Sequence, residues 1–151
     1  MNPVNPALAY FKSRLGQPMS QASHSPLDRW LNGTLTGAEE DSLTVDYQVH
    51  EEFCNPGGIL HGGTAAAMMD DVMGMTVFSL GLEAFYSSVN LSVDFLWSAK
   101  PGETITAKST IVRQGRKIVN AACEIRNAEG VLIAKATSNL VATTRSLPSR
   151  E

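Results

Sequence analysis

The sequence predicts an α+β domain in which one long helix lies against a curved antiparallel β-sheet. Three observations predict it. Residues 60–80 are a run of Ala, Met, Val and other apolar residues, the composition of a helix enclosed on most sides. Segments before and after this run alternate apolar and polar residues with the period of half-buried strands. The links between the later segments are short and rich in Gly, Pro and Asn, and short links demand antiparallel neighbours. One sheet covers only part of so apolar a helix, so the remainder calls for strong sheet curvature or a partner subunit.

Taken in order, Pro3 and Pro6 precede residues 7–15, which read as a short helix docked through Tyr10, Phe11 and Leu15. Residues 16–26, rich in Ser, Gln and Pro, read as a connecting loop. Residues 27–36 and 42–50 read as two strands joined by the polar turn 37–41. In the second, Leu43, Val45, Tyr47 and Val49 alternate with Thr44, Asp46, Gln48 and His50. Residues 51–58 form a loop containing the breakers Asn55, Pro56, Gly57 and Gly58. The helix over 60–80 would be about 30 Å long. In the strand 88–98, Val89, Leu91, Val93, Phe95 and Trp97 are expected on one face, with Asn90, Ser92 and Asp94 on the other. Strands over 103–113, 117–126 and 131–143 follow in hairpin-like succession, with Val119, Ala121, Cys123 and Ile125 sharing a face.

A length of 151 residues suits one domain. Residues 27–143 form its body, 1–26 an N-terminal helix and linker, and 144–151 a polar tail. Two cysteines, Cys54 and Cys123, are too few for a secreted disulfide framework and read as free thiols in a reducing compartment. The net charge of −3, without a long basic run, argues against nucleic acid as a partner. Residues 1–10 lack the basic start and apolar core of a signal peptide. His61, Asp70 and Asp71 interrupt the apolar window that would otherwise suit a bilayer. A cytoplasmic protein with no membrane span is expected. His24, His50 and His61 are scattered, so neither a metal nor another cofactor is expected.

The chemistry-bearing residues concentrate between Asn55 and Asp71. Gly62 and Gly63 sit where the main helix begins, and glycine there lets a ligand or another backbone approach closely. The first N–H groups of a helix lack internal partners and favour negative charge, so they can stabilise an oxyanion on a thioester carbonyl. The alternative is a glycine-softened helix start without a ligand. Asp70 and Asp71 fall mid-helix among alanines and methionines. A carboxylate there is either paired with a buried polar group or serves as a base or nucleophile. The two lie about 100° apart around the helix, so one of them at most is expected to face a site. His61 reads as a residue that orients the loop around Asn55, in preference to one that transfers a proton.

The pattern Asn55-x5-His61-Gly62-Gly63-x6-Asp70 resembles the hotdog-fold thioesterases of the phenylacetate-degradation (PaaI-like) type. Ser88, on a strand followed by Ser98-Ala-Lys-Pro-Gly-Glu103, extends the likeness, and the strand order fits from about residue 27 to 143. The resemblance implies a hotdog fold and hydrolysis of acyl-CoA thioesters, with CoA as part of the substrate. It implies that the Gly62 N–H binds the thioester oxygen and that Asp70 attacks the carbonyl or activates water. It further implies that Asn55 places the nucleophile or water, that His61 supports the thioester end, and that Ser88 holds the water or the carboxylate. Asp71 has no counterpart role.

Helix geometry adds an independent expectation. Gly62 and Asp70 are eight residues apart, about 12 Å along one helix. Both must reach atoms within about 3 Å of one carbonyl carbon. A single helix cannot achieve that, whereas two antiparallel helices at a two-fold axis can. A homodimer with shared sites is therefore expected; a dimer of dimers is a further expectation that helix geometry does not decide. CoA is polyanionic, and Arg113, Arg116 and Lys117 cluster around Gly115 at a strand turn, as either a phosphate contact or a solvated hairpin tip. Gly63 is expected near the substrate, and Met68, Met69 and Met73 near its acyl group or simply in the core. Two other functions fit the fold: a hydratase or dehydratase, whose His-Phe-Pro-Gly-His type of motif is missing, and a non-catalytic acyl-CoA-binding module, which has no use for a desolvated Asp70.

Overall fold

A computed structural model describes residues 3–146. Of the expected polar tail, residues 147–151 lie outside the described residues. Three short helices lead: α1 (Pro6–Lys12), α2 (Met19–Ala22) and α3 (Pro26–Leu31). Strands β1 (Thr34–Glu39) and β2 (Ser42–Gln48) precede the long helix α4 (Gly62–Ser79). Strands β3 (Tyr86–Phe95), β4 (Thr104–Gln114), β5 (Ile118–Asn127) and β6 (Leu132–Ala142) complete the chain.

All six strands join one antiparallel sheet in the order β1-β2-β4-β5-β6-β3. Helix α4 packs against β2 through β6, and of its residues only Gly63 is exposed. This is the hotdog arrangement that the resemblance implies. Ala65, Met68, Met69, Val72, Met73, Thr76 and Val77 form the buried stripe of α4, the spacing of a helix pressed on a sheet. Met68, Met69 and Met73 are wholly inside the core. From the sheet, Leu43, Val45, Tyr47, Val119, Ala121, Cys123 and Ile125 face them.

Four expectations change. Of the expected strand 27–36 only residues 34–36 are strand, and β1 runs on to Glu39 into the expected turn; ahead of it, Ser25 caps α3 by accepting from the Asp28 N–H, Pro26 starts it, and Asn32 ends it in the left-handed conformation with φ 50°. The stretch 16–26 is no mere loop, because α2 buries Met19 and Ala22. Helix α1 docks through Leu8 and Phe11, whereas Leu15 lies beyond it and is exposed. Finally, β3 pairs with β6 and not with β4. The link 96–103 crosses the end of the sheet, where Ala99 C=O accepts from Leu60 N–H at 2.8 Å and Glu103 C=O from Val49 N–H at 2.9 Å. These bonds hold β4 beside β2 and send β3 to the opposite edge.

Candidate active site

His61 is the N-cap of α4: its Nδ1 accepts the Gly63 N–H at 2.8 Å. Its carbonyl accepts the Thr64 and Ala65 N–H groups, each at 3.0 Å. Gly62 is left as the N–H of the first turn without an acceptor among the described residues. The expected oxyanion donor is therefore unoccupied by the fold itself. The Gly63 N–H, by contrast, is consumed by His61, so its expected contact with substrate cannot use that group. A Cβ on Gly62 would lie 3.1 Å from two ring carbons of Phe95, which is why only glycine allows β3 so close to the helix start.

Asn55 is committed to its own loop: Oδ1 accepts from Gly57 N–H at 2.9 Å and from Ile59 N–H at 3.4 Å. It makes no hydrogen bond with Asp70, and its amide Nδ2 has no hydrogen-bond partner among the described residues. The loop is clasped by Asn55 N–H on Ile59 C=O and by His61 N–H on Phe53 C=O.

Asp70 and Ser88 do meet. The Ser88 hydroxyl donates to Asp70 Oδ1 at 2.8 Å. The contact depends on a β-bulge. Ser88 pairs with Leu140, yet the next ladder pair is Asn90 with Asn139, leaving Val89 as the extra residue. Leu140, Ser138, Ala136 and Ala134 are buried towards α4, and their partners on β3 are Ser88, Leu91, Val93 and Phe95. Strict alternation would put Ser88 and Leu91 on opposite faces. The bulge instead puts both on the helix side, and Val89 leaves the face on which it was expected, standing 65% exposed.

Asp71 points elsewhere. Half-buried, it lies against the buried Asp28 of α3 and near Tyr47 of β2. Burial first, then the charges of Asp28 and Asp70, push its carboxyl up to about 8. Asp28 is likewise raised by burial, opposed by hydrogen bonds from Ser23 and Asp71. One proton shared between the two carboxyls lets them lie together. Burial and the neighbouring Asp71 and Asp28 also raise the Tyr47 phenol well above its usual range, and burial pushes the Cys123 thiol up to about 12.

A cavity of about 390 Å³ opens beside the start of α4, lined among others by Trp30, Phe53, Cys54, His61, Thr64 and Ala67. Trp30 stacks edge-on against Phe53 with ring centroids 4.9 Å apart. Reading residues 27–36 as a strand hides this wall, although Ser25-Pro26 with Asp28 in the first turn is a helix-start signal. Arg113, Arg116 and Lys117 stand exposed at the β4–β5 turn without an ion pair among the described residues. A Cβ on Gly115 would crowd the Ile118 carbonyl at 2.8 Å and Arg113 Nη1 at 3.0 Å. Among the described residues, no helix is long and apolar enough to cross a membrane.

The chain is similar to known proteins in sequence and in structure. The family profile described as Thioesterase superfamily matches residues 57–134. Acyl-coenzyme A thioesterase 13 of Mus musculus is 31% identical over 103 residues, which cover 68% of this chain and 74% of that protein. A hypothetical thioesterase of Streptococcus pneumoniae TIGR4, solved with coenzyme A, is 27% identical with a TM-score of 0.70, covering 74% of this chain and 86% of the other. The E. coli PaaI protein from the phenylacetic acid degradation operon has a TM-score of 0.80 at 16% identity, covering 93% of this chain and 96% of the other, a likeness of fold.

Proposed function

The chain belongs to the thioesterase superfamily, and within it we propose that the protein hydrolyses an acyl-CoA thioester to free acid and CoA. The observation that carries this reading is the Asp70 carboxylate held by the Ser88 hydroxyl at 2.8 Å on the helix whose first N–H, that of Gly62, has no acceptor of its own. In this reading the Gly62 N–H takes the developing negative charge on the carbonyl oxygen. Asp70 either attacks the carbonyl carbon or removes a proton from the attacking water. On the direct route the C–S bond breaks as an acyl–Asp70 anhydride forms, and water then cleaves the anhydride to free acid and Asp70; on the other route water adds to the carbonyl and the C–S bond breaks to give the acid at once. On both, the CoA sulfur leaves and takes up a proton. Asn55 and His61 shape the approach to the thioester, and Ser88 holds the carboxylate.

The site is completed by a second copy of the chain. Gly62 and Asp70 lie at separate points of one helix, about 12 Å apart along its axis. Strand β3 is a sheet edge flanked by exposed Val89, Phe95, Leu96 and Trp97, the kind of surface that seeks a partner. Pairing across β3 would bring Gly62 of one copy towards Asp70 of the other. Arg113, Arg116 and Lys117 are the residues proposed to meet the CoA phosphates.

The test is thiol release from a panel of short, long and aromatic acyl-CoAs by wild type and Asp70→Ala. Turnover of at least one member, lost in the variant, is expected. Binding without turnover on every member would overturn the enzymatic reading in favour of a carrier. Sedimentation of the wild type distinguishes dimer from tetramer, and a monomer active at every concentration would sink the shared site. Single-turnover hydrolysis in ¹⁸O-water, with the Asp70 carboxylate examined for label, separates direct attack from water activation.

A further inference from the structure

We infer that Asn90 is a positioning residue, which latches the β-bulge at Val89 and thereby aims Ser88 at Asp70. The inference rests on the reading of Asp70 as the reactive carboxylate. At the bulge one residue of β3 has no partner, and such a site leaves ladder groups to be satisfied by other means. Two of them are met at Asn90, one by its side chain and one by Ser138. Asn90 Oδ1 accepts the Asn139 main-chain N–H at 2.8 Å, in the place a strand carbonyl would fill. Its own carbonyl accepts the hydroxyl of Ser138, also at 2.8 Å. The next strand braces the arrangement: Asn120 Nδ2 donates to Asn139 Oδ1 at 2.9 Å and to Ser138 C=O at 3.4 Å. The latch thus runs across β5, β6 and β3, immediately beside the pair Ser88–Leu140.

Without the Asn90 side chain, the Asn139 N–H loses its acceptor. The cheapest repair is to iron out the bulge by sliding the start of β3 one residue. A one-residue slide moves every side chain to the opposite face. Ser88 would then turn away from α4, and Val89 would face Asp70 in its place. Asn90 lies on the outer face of the sheet with Ser92 and Asp94, opposite the outward-facing Asn139, Thr137 and Lys135. It therefore acts on Asp70 only through Ser88.

The test is a double-mutant cycle on the wild-type background. Asn90→Ala is expected to lower kcat roughly tenfold with KM nearly unchanged, as is Ser88→Ala, and the double variant is expected to fall no further than either alone. Asn90→Asp keeps the acceptor oxygen and is expected to restore most of kcat. Two readouts do not need activity. Amide exchange at Asn139 should accelerate in Asn90→Ala and not in Ser88→Ala, and the NOE between the Ser88 β-protons and α4 should vanish in Asn90→Ala. Multiplying effects in the double variant, or an intact Ser88 NOE in Asn90→Ala, overturn the inference. Absence of turnover in wild type would fail the thioesterase reading alone, because exchange and NOE still decide the latch.

Discussion

The Ser88 hydroxyl and the Asp70 carboxylate meet at 2.8 Å across the gap between strand β3 and helix α4. The contact joins residues 18 positions apart, and it exists because the bulge at Val89 turns Ser88 inward.

Asp70→Asn is expected to lower kcat by roughly 10²–10⁴, the usual contribution of a general base. Ser88→Ala, which removes only the donor that holds the carboxylate, should cost much less, roughly tenfold. Steady-state kinetics on the best acyl-CoA, with thermal melts to establish folding, check both. Equal losses in the two variants would place Ser88 in the chemistry itself.

Gly62→Ala brings a methyl group to 3.1 Å from the Phe95 ring. Either the ring or the helix start must give by a few tenths of an ångström, and kcat should fall roughly tenfold or more through misplacement of the N–H. Mixed with Asp70→Asn chains, this variant should regain activity, because one site of the heterodimer then holds an intact Gly62 and an intact Asp70. Failure of mixed chains to recover activity, with subunit exchange verified, rejects sharing between subunits.

The Asp28–Asp71 pair makes stability depend on pH. Below the ordinary carboxylate value of 3.8, Asp71 is protonated both folded and unfolded. Above it the unfolded chain releases the proton, while the folded chain keeps it up to about pH 8. Folding is therefore favoured at the acid end of that window and weakens by up to about 1.4 kcal/mol per pH unit across it. Asp71→Asn should flatten the slope and raise stability at neutral and alkaline pH. Urea midpoints measured from pH 5 to pH 9 read this directly; parallel slopes for wild type and variant would contradict it.

Arg116→Glu and Lys117→Glu are expected to raise KM for acyl-CoA roughly tenfold in combination, with kcat little changed. The effect should shrink as salt rises, since exposed charges are screened over about 10 Å at 0.1 M. KM measured at two ionic strengths checks it, and an unchanged KM places the turn away from the CoA phosphates.

The legible parts of this protein were those written in local periodicity. Leu43, Val45, Tyr47 and Val49 alternate in sequence and are buried in alternation in the fold. The same holds for Val119, Ala121, Cys123 and Ile125. Where a few residues decide the conformation, periodicity misled. Leu27, Trp30 and Leu31 could be read as strand, while the cap from Ser25 and the ring of Pro26 made α3. The strand order was hidden for a different reason: short links argue for neighbours, but the eight residues of 96–103 are tied to Leu60 and Val49 and carry the chain across the sheet.

By itself the sequence determined the α+β class, the long enclosed helix and the cluster from Asn55 to Asp70, since each follows from composition and spacing along one segment. Only the tertiary structure decided which groups of that cluster are free. His61 takes up the Gly63 N–H and leaves that of Gly62 open, and Asp71 turns to Asp28 while Asp70 turns to Ser88. The last of these could not be read from alternation, which places Ser88 on the face opposite Leu91 and Phe95. A single unpaired residue, Val89, reverses that parity, and a bulge is a property of two strands paired, which neither strand carries alone.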